Sequence, residues 1–108
     1  YLGGLTKALK VSKIIKDAGF ICTPHTANLS LVTVCTMHFL KAIKNSGPYL
    51  EFSIEGKDYY PWQQNLFIND PYKITDGKVE IYDIPGWGIE INPQWLENAE
   101  YKNSEIEL

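Results

Sequence analysis

A histidine and a carboxylate occupy comparable places in two apolar runs of this chain. His25 follows Phe20-Ile21-Cys22-Thr23 and Pro24, and Glu51 lies within Tyr49-Leu50-Glu51-Phe52-Ser53-Ile54. Imidazole titrates near neutrality, which suits proton transfer once a partner fixes its tautomer. A carboxyl kept protonated by a dry interior can donate to a developing oxyanion. If the two runs are parallel strands of one sheet, both groups reach the same rim and line one cavity. Thr26 and Asn28 follow His25 and could touch a substrate, with capping of the next helix as their default role. Taken singly, His25 would be a loop histidine and Glu51 a strand-edge carboxylate; their shared context favours chemistry.

The elements that must position these groups are legible from periodicity. Leu5, Ala8, Leu9, Ile14, Ile15 and Ala18 recur at helical spacing, opposite a wet face of Lys7, Lys10, Lys13 and Lys16. Thr6 is a candidate cap, and Gly19 stops the helix. Residues 20–23 read as a strand that Pro24 ends, since proline cannot donate to a ladder. A second helix is expected over 29–44, capped by Asn28 or Ser30 and closed by Asn45-Ser46-Gly47-Pro48. Residues 49–54 then alternate, with Leu50, Phe52 and Ile54 on one face and Tyr49, Glu51 and Ser53 on the other.

The character changes beyond Gly56. The aromatic stretch Tyr59-Tyr60-Pro61-Trp62 reads as pinning a long connection rather than as a sugar platform. A hairpin is expected from Tyr72-Lys73-Ile74 and residues 78–82 around Asp76-Gly77. Pro85-Gly86-Trp87-Gly88 is a turn with Trp87 as a packing anchor, and Asn92-Pro93 opens a short helix through Glu97. His38, mid-helix among apolar residues, reads as packing or a local hydrogen bond, and the acidic end from Asn103 as frayed. The division expected is therefore 1–56 as sheet-and-helix unit and 57–108 as a C-terminal segment.

A chain of 108 residues with 44% apolar and 21% charged side chains is one small globular domain at most. A net charge of −3 and a lysine stripe explained as a helix back exclude a nucleic-acid binder. Polar interruptions at Ser30, Thr33, Thr36 and His38 exclude a membrane span. Cys22 and Cys35 have neither metal-ligand nor disulfide spacing, so a reducing, cytoplasmic setting is expected. A helix between two strands implies a right-handed parallel crossover, and two parallel strands alone leave open edges. More sheet is demanded than the chain contains, as in a truncated piece of a larger α/β protein.

Gly3-Gly4-Leu5-Thr6, Ala18-Gly19-Phe20, Pro24-His25-Thr26, Pro48-Tyr49-Leu50-Glu51-Phe52 and Asp76-Gly77…Ile84-Pro85-Gly86-Trp87-Gly88-Ile89 occur in that order. Together they resemble the C-terminal part of the enolase superfamily, in its mandelate racemase and muconate lactonizing branch. The resemblance implies the last part of a (β/α)7β TIM-like barrel, from the sixth helix to the eighth strand, followed by a tail returning to a capping domain. It implies that His25 is the seventh-strand acid/base and that Glu51 hydrogen-bonds a substrate carboxylate or enediolate. It further implies an Mg²⁺-dependent parent enzyme acting on a small carboxylate, an acid-sugar dehydratase first and a racemase or epimerase second. The metal ligands, the lysine base and the aspartate that orients the histidine would lie upstream, so no metal is expected on this chain and no activity from it alone. The expected partners are the rest of the parent protein or further copies of the chain. A non-catalytic interaction module is the rival reading, with His25 incidental.

Overall fold

The computed structural model describes residues 3–26, 28–55, 58–61 and 64–103, which contain three helices and one two-stranded sheet. Helix α1, Leu5–Asp17, starts at Gly4 without a side-chain cap, so Thr6 lies inside the helix rather than capping it. Its end follows the sequence closely. Gly19 takes φ 80, its N–H meets the Lys16 carbonyl at 2.9 Å, and the Phe20 N–H meets that of Ile15 at 3.0 Å. This paired closure satisfies two orphan carbonyls and needs the left-handed residue that glycine supplies without strain. The expected apolar stripe is not covered, because Leu5, Leu9 and Ile14 are exposed and Ser12 is the buried residue. Periodicity identifies an apolar face but not whether a neighbour is there to meet it.

Helix α2, Leu31–Ala42, is shorter at both ends than expected, with the Ser30 hydroxyl accepting from the Val32 N–H at 3.3 Å. Val34, Met37 and Phe39 from this helix, with Cys22, make the apolar core. A parallel bridge joins Cys22 to Ser46, through Cys22 N–H to the Asn45 carbonyl (2.7 Å) and Gly47 N–H to the Cys22 carbonyl (2.9 Å). The parallel sense of the crossover is thus as expected, but the pairing is one bridge long. Residues 49–54 form no ladder: pairing is used up at 45–47, Pro48 has no N–H to continue it, and no second strand among the described residues runs alongside. Asn45 ties the two halves of this unit, its side-chain N–H groups reaching the carbonyls of Ser12 and Phe20 at 3.2 Å each.

The tail folds back over α2. Strands β1 (Ile74–Thr75) and β2 (Lys78–Val79) form an antiparallel hairpin whose register pairs Ile74 with Val79. Asp76 and Gly77 both have positive φ, 50 and 70, the turn that matches strand twist. An unexpected antiparallel bridge, Phe67 to Ile91, closes the tail on itself. Helix α3, Pro93–Glu97, begins as the sequence dictates: the Asn92 side chain accepts from the Gln94 N–H at 3.1 Å and Pro93 occupies the first turn. His38 bonds the distant Trp87 carbonyl at 3.0 Å, with the rings edge-on at 5.2 Å, so its bond is long-range rather than local. Tyr59 and Tyr60 stack edge-to-face at 4.7 Å, while Trp62 and residues 104–108 lie outside the described residues.

The molecule is open. Its radius of gyration is 15.7 Å, against about 13 Å for a compact domain of this length. Its accessible surface is 8861 Å², against about 6,100 Å² for a folded monomer of this mass. Among the described glycines, Gly47 is the most closely approached. A Cβ there would sit 2.3 Å from the Thr23 methyl. Gly47→Ala is therefore expected to lower stability by about 2 kcal/mol, the usual cost of overpacking. Adding Thr23→Ala should recover more than half of that loss in thermal melts at fixed protein concentration.

Candidate active site

His25 and Glu51 meet. The His25 Nδ1 is 2.6 Å from the Glu51 Oε2, and the Thr26 backbone N–H donates to the same oxygen at 3.1 Å. The pair lies 26 positions apart in sequence, and the short Cys22–Ser46 bridge brings their segments side by side. Since Oε2 already accepts from Thr26, it serves as an acceptor for a proton on His25 Nδ1. Nε2 is then the basic nitrogen. It has no hydrogen-bond partner among the described residues, and the His25 side chain is 79% exposed. That tautomer presents a lone pair to whatever lies outside the rim.

The surroundings of Glu51 differ from the dry interior expected of it. Its side chain is 49% exposed, beside an exposed Tyr49. Neither of the two principal cavities is lined by His25 or Glu51. The larger, about 460 Å³, lies between the end of α2, residues 46–52 and the hairpin, with Met37, Leu40, Phe52 and Val79 among its walls. The two groups meet on an open rim, apart from both of these cavities.

Thr26 and Asn28 are placed beside the pair, and their polar atoms are used internally. The Thr26 hydroxyl is buried 2.7 Å from that of Thr33, the Thr33 hydroxyl donates to the Asn28 carbonyl, and the Asn28 side chain accepts from the Ser30 hydroxyl. Tyr72, from the tail, donates to the Ser30 carbonyl at 2.5 Å and packs edge-on against Phe52 and Phe67. Burial pushes the Tyr72 phenol well above its usual range, so it remains a donor at any physiological pH. Sequence reasoning passed over Thr33 and Tyr72. A threonine early in an apolar helix and a tyrosine before a hairpin carry no local signal of their contacts. Burial likewise raises the Cys22 thiol, and both cysteines are free.

Among the described residues, no three His, Cys, Asp or Glu side chains are grouped so as to hold a metal ion. The donor set present does not fit Mg²⁺, which requires convergent oxygen ligands. No helix among the described residues is long and apolar enough to cross a membrane.

The chain is a mixed helix-and-sheet unit with a histidine–carboxylate pair at one rim. Residues 1–95 match the enolase C-terminal domain-like family. A crystal structure of a putative racemase from Roseobacter denitrificans is similar to this chain, with a TM-score of 0.89 and 57% sequence identity over 98% of its length. The chain spans 29% of the length of that protein. It belongs to the enolase superfamily, in the mandelate racemase and muconate lactonizing branch, as a C-terminal part.

Proposed function

We propose that this chain is the C-terminal part of an enolase-superfamily enzyme in which His25 moves the proton α to a substrate carboxylate. The observation that carries the reading is the 2.6 Å His25–Glu51 contact, which leaves Nε2 as the outward base. His25 Nε2 takes the α-proton, and the resulting imidazolium keeps its Nδ1–H on Glu51. Oε2 accepts from His25 and Thr26 throughout, so the other oxygen of Glu51 is the one left to face the substrate. Mg²⁺, when bound, would stabilise the enediolate charge; its ligands would come from the rest of the parent enzyme.

The finer reading is an acid-sugar dehydratase. The α C–H bond breaks, the β C–O bond breaks, and the His25 proton leaves with the hydroxyl as water; the enol then tautomerises to a 2-keto-3-deoxy acid. A racemase or epimerase is the second reading, favoured by the name of the 57%-identical structure. There the proton would return to the opposite face from a base outside this chain. In both readings we place the parent in the cytoplasm, since the two free thiols of this chain suit a reducing compartment.

The test is the parent enzyme with Mg²⁺ and a panel of acid sugars in D₂O, followed by proton NMR. The expected result is loss of the α-proton with a 3-deoxy-2-keto product. Deuterium at the α-carbon with inverted configuration and no loss of water would select the racemase. Absence of α-exchange with every carboxylic acid tried would reject the proton-transfer reading.

A further inference from the structure

We propose that Tyr72 is a positioning residue for the candidate site: it clamps the loop that carries His25 to the segment that carries Glu51, and so makes the C-terminal tail part of the site's frame. The proposal rests on the reading of His25 as the acid/base. The group that orients the imidazole is expected upstream of this chain, so Tyr72 acts on the backbone that carries the ring and not on the ring itself.

Tyr72 is held before it reaches the site. Its N–H donates to the Asp70 carboxylate at 2.9 Å, and the Tyr82 hydroxyl donates to the Asp70 carbonyl at 3.2 Å, so the chain beyond the hairpin ties down the turn that precedes it. The Tyr72 ring meets Phe67 edge-on at 6.0 Å, and an antiparallel bridge joins Phe67 to Ile91. From this base the side chain reaches both site segments. The phenol donates to the Ser30 carbonyl at 2.5 Å, and burial keeps it protonated at any physiological pH. The same ring packs edge-on at 5.7 Å against Phe52, next to Glu51 in sequence.

Ser30 caps α2 five positions beyond His25, and the chain between them is laced to the first turn of that helix. The Ser30 N–H donates to the Asn28 carbonyl at 2.9 Å, which also accepts from the Thr33 hydroxyl. The buried Thr26 and Thr33 hydroxyls lie 2.7 Å apart, and parting them would strand polar groups away from water. A displacement of Ser30 is therefore passed to Thr26, the residue after His25, rather than absorbed by a slack loop. At the other end, residues 49–54 have no ladder among the described residues, so packing such as that of Phe52 on Tyr72 must hold them. Such a frame matters to proton transfer, where a misplacement of about 1 Å can cost on the order of a hundredfold in rate.

The experiment pairs local amide exchange with steady-state kinetics in the parent enzyme. Tyr72→Phe removes the hydroxyl and keeps the ring. The Ser30 carbonyl retains the Thr33 N–H at 3.0 Å, so no buried group is stranded and the variant should fold. Phe52→Leu keeps the hydroxyl bond and removes the ring contact. Asn92→Ala, which takes the cap off α3 elsewhere in the tail, is the control for lost stability alone. Hydrogen exchange read by mass spectrometry should become about fivefold faster over residues 25–30 in Tyr72→Phe, the effect of one lost hydrogen bond. In Phe52→Leu the acceleration should fall on residues 49–54, and Asn92→Ala should show neither. Tyr72→Phe should lower kcat for α-proton exchange about fivefold with KM within about twofold, because the phenol acts on the frame and not on the substrate. Asn92→Ala should keep the wild-type kcat. If Tyr72→Phe does not fold, Phe52→Leu decides by the same two readouts. Wild-type amide exchange over 25–30 in Tyr72→Phe would overturn the clamp, as would faster exchange with kcat unchanged in an active parent, or an equal fall of kcat in Asn92→Ala. A parent that exchanges no α-proton rejects His25 as the acid/base, and the clamp then stands or falls on the amide exchange alone.

Discussion

His25→Asn in the parent enzyme is expected to reduce kcat by about a thousandfold, within the range usual for a general acid/base. KM should change little, because the imidazole contributes to moving the proton rather than to holding the substrate. The loss should appear equally in α-proton exchange, which isolates the step from any later elimination. Glu51→Ala should cost roughly ten- to a hundredfold, since it removes a charge-assisted bond and frees the imidazole to take the other tautomer. Because the two side chains share one contact at 2.6 Å, the double variant should be little worse than His25→Asn alone. Steady-state kinetics of the three variants check this. A His25→Asn enzyme with more than a tenth of wild-type kcat would remove His25 from the chemistry.

The 108-residue chain by itself is expected to associate and to turn nothing over. Its surface exceeds that of a compact monomer by about 2,800 Å². A standard interface buries only about 800 Å² per partner. The excess is the size of an obligate contact, and its chemistry is apolar: Ile54 is 96% exposed, Phe20 69%, Ile21 61% and Ile14 68%. Burying each such side chain is worth about 1.5–3 kcal/mol. Phe20→Asp together with Ile54→Asp should therefore weaken self-association at least about tenfold. Light scattering and thermal melts over a dilution series measure it. A cooperative melt that is independent of concentration, from a monomer that dehydrates an acid sugar, would mean that the chain is a complete enzyme. In the parent these side chains would pack on the rest of the protein, and the Phe20 and Ile54 substitutions should then lower its stability rather than change its assembly.

Features set by a residue and its near neighbours are legible in the sequence alone. Gly19 ends α1 because only a residue comfortable at positive φ can close both carbonyls, and Asp76-Gly77 makes the hairpin turn for the same reason. Asn92 and Pro93 start α3 because a side-chain acceptor and a missing N–H suit a first turn. Each depends on atoms within about four residues, so composition and spacing carry the whole instruction. The placement of His25 and Glu51 at one rim followed from the order strand, helix, strand, which fixes a parallel crossover.

Only the tertiary structure decided what those elements meet. The alternation of residues 49–54 is a strand pattern, yet a strand needs a neighbour to accept its hydrogen bonds, and the single bridge at Ser46 is all that Cys22 offers. The stripe on α1 is apolar, yet burial belongs to the pair of surfaces and not to one of them. The contacts at the candidate site join residues far apart in sequence: Thr26 to Glu51, Ser30 to Tyr72, His25 to Glu51. No periodicity encodes them. They arise where the chain crosses itself, and a buried hydroxyl there must find a partner or bear the full cost of desolvation. The sequence by itself thus determined the local turns and caps and which two side chains are candidates for chemistry, while the fold determined that Glu51 Oε2 meets His25 Nδ1 and that Nε2 has no hydrogen-bond partner among the described residues.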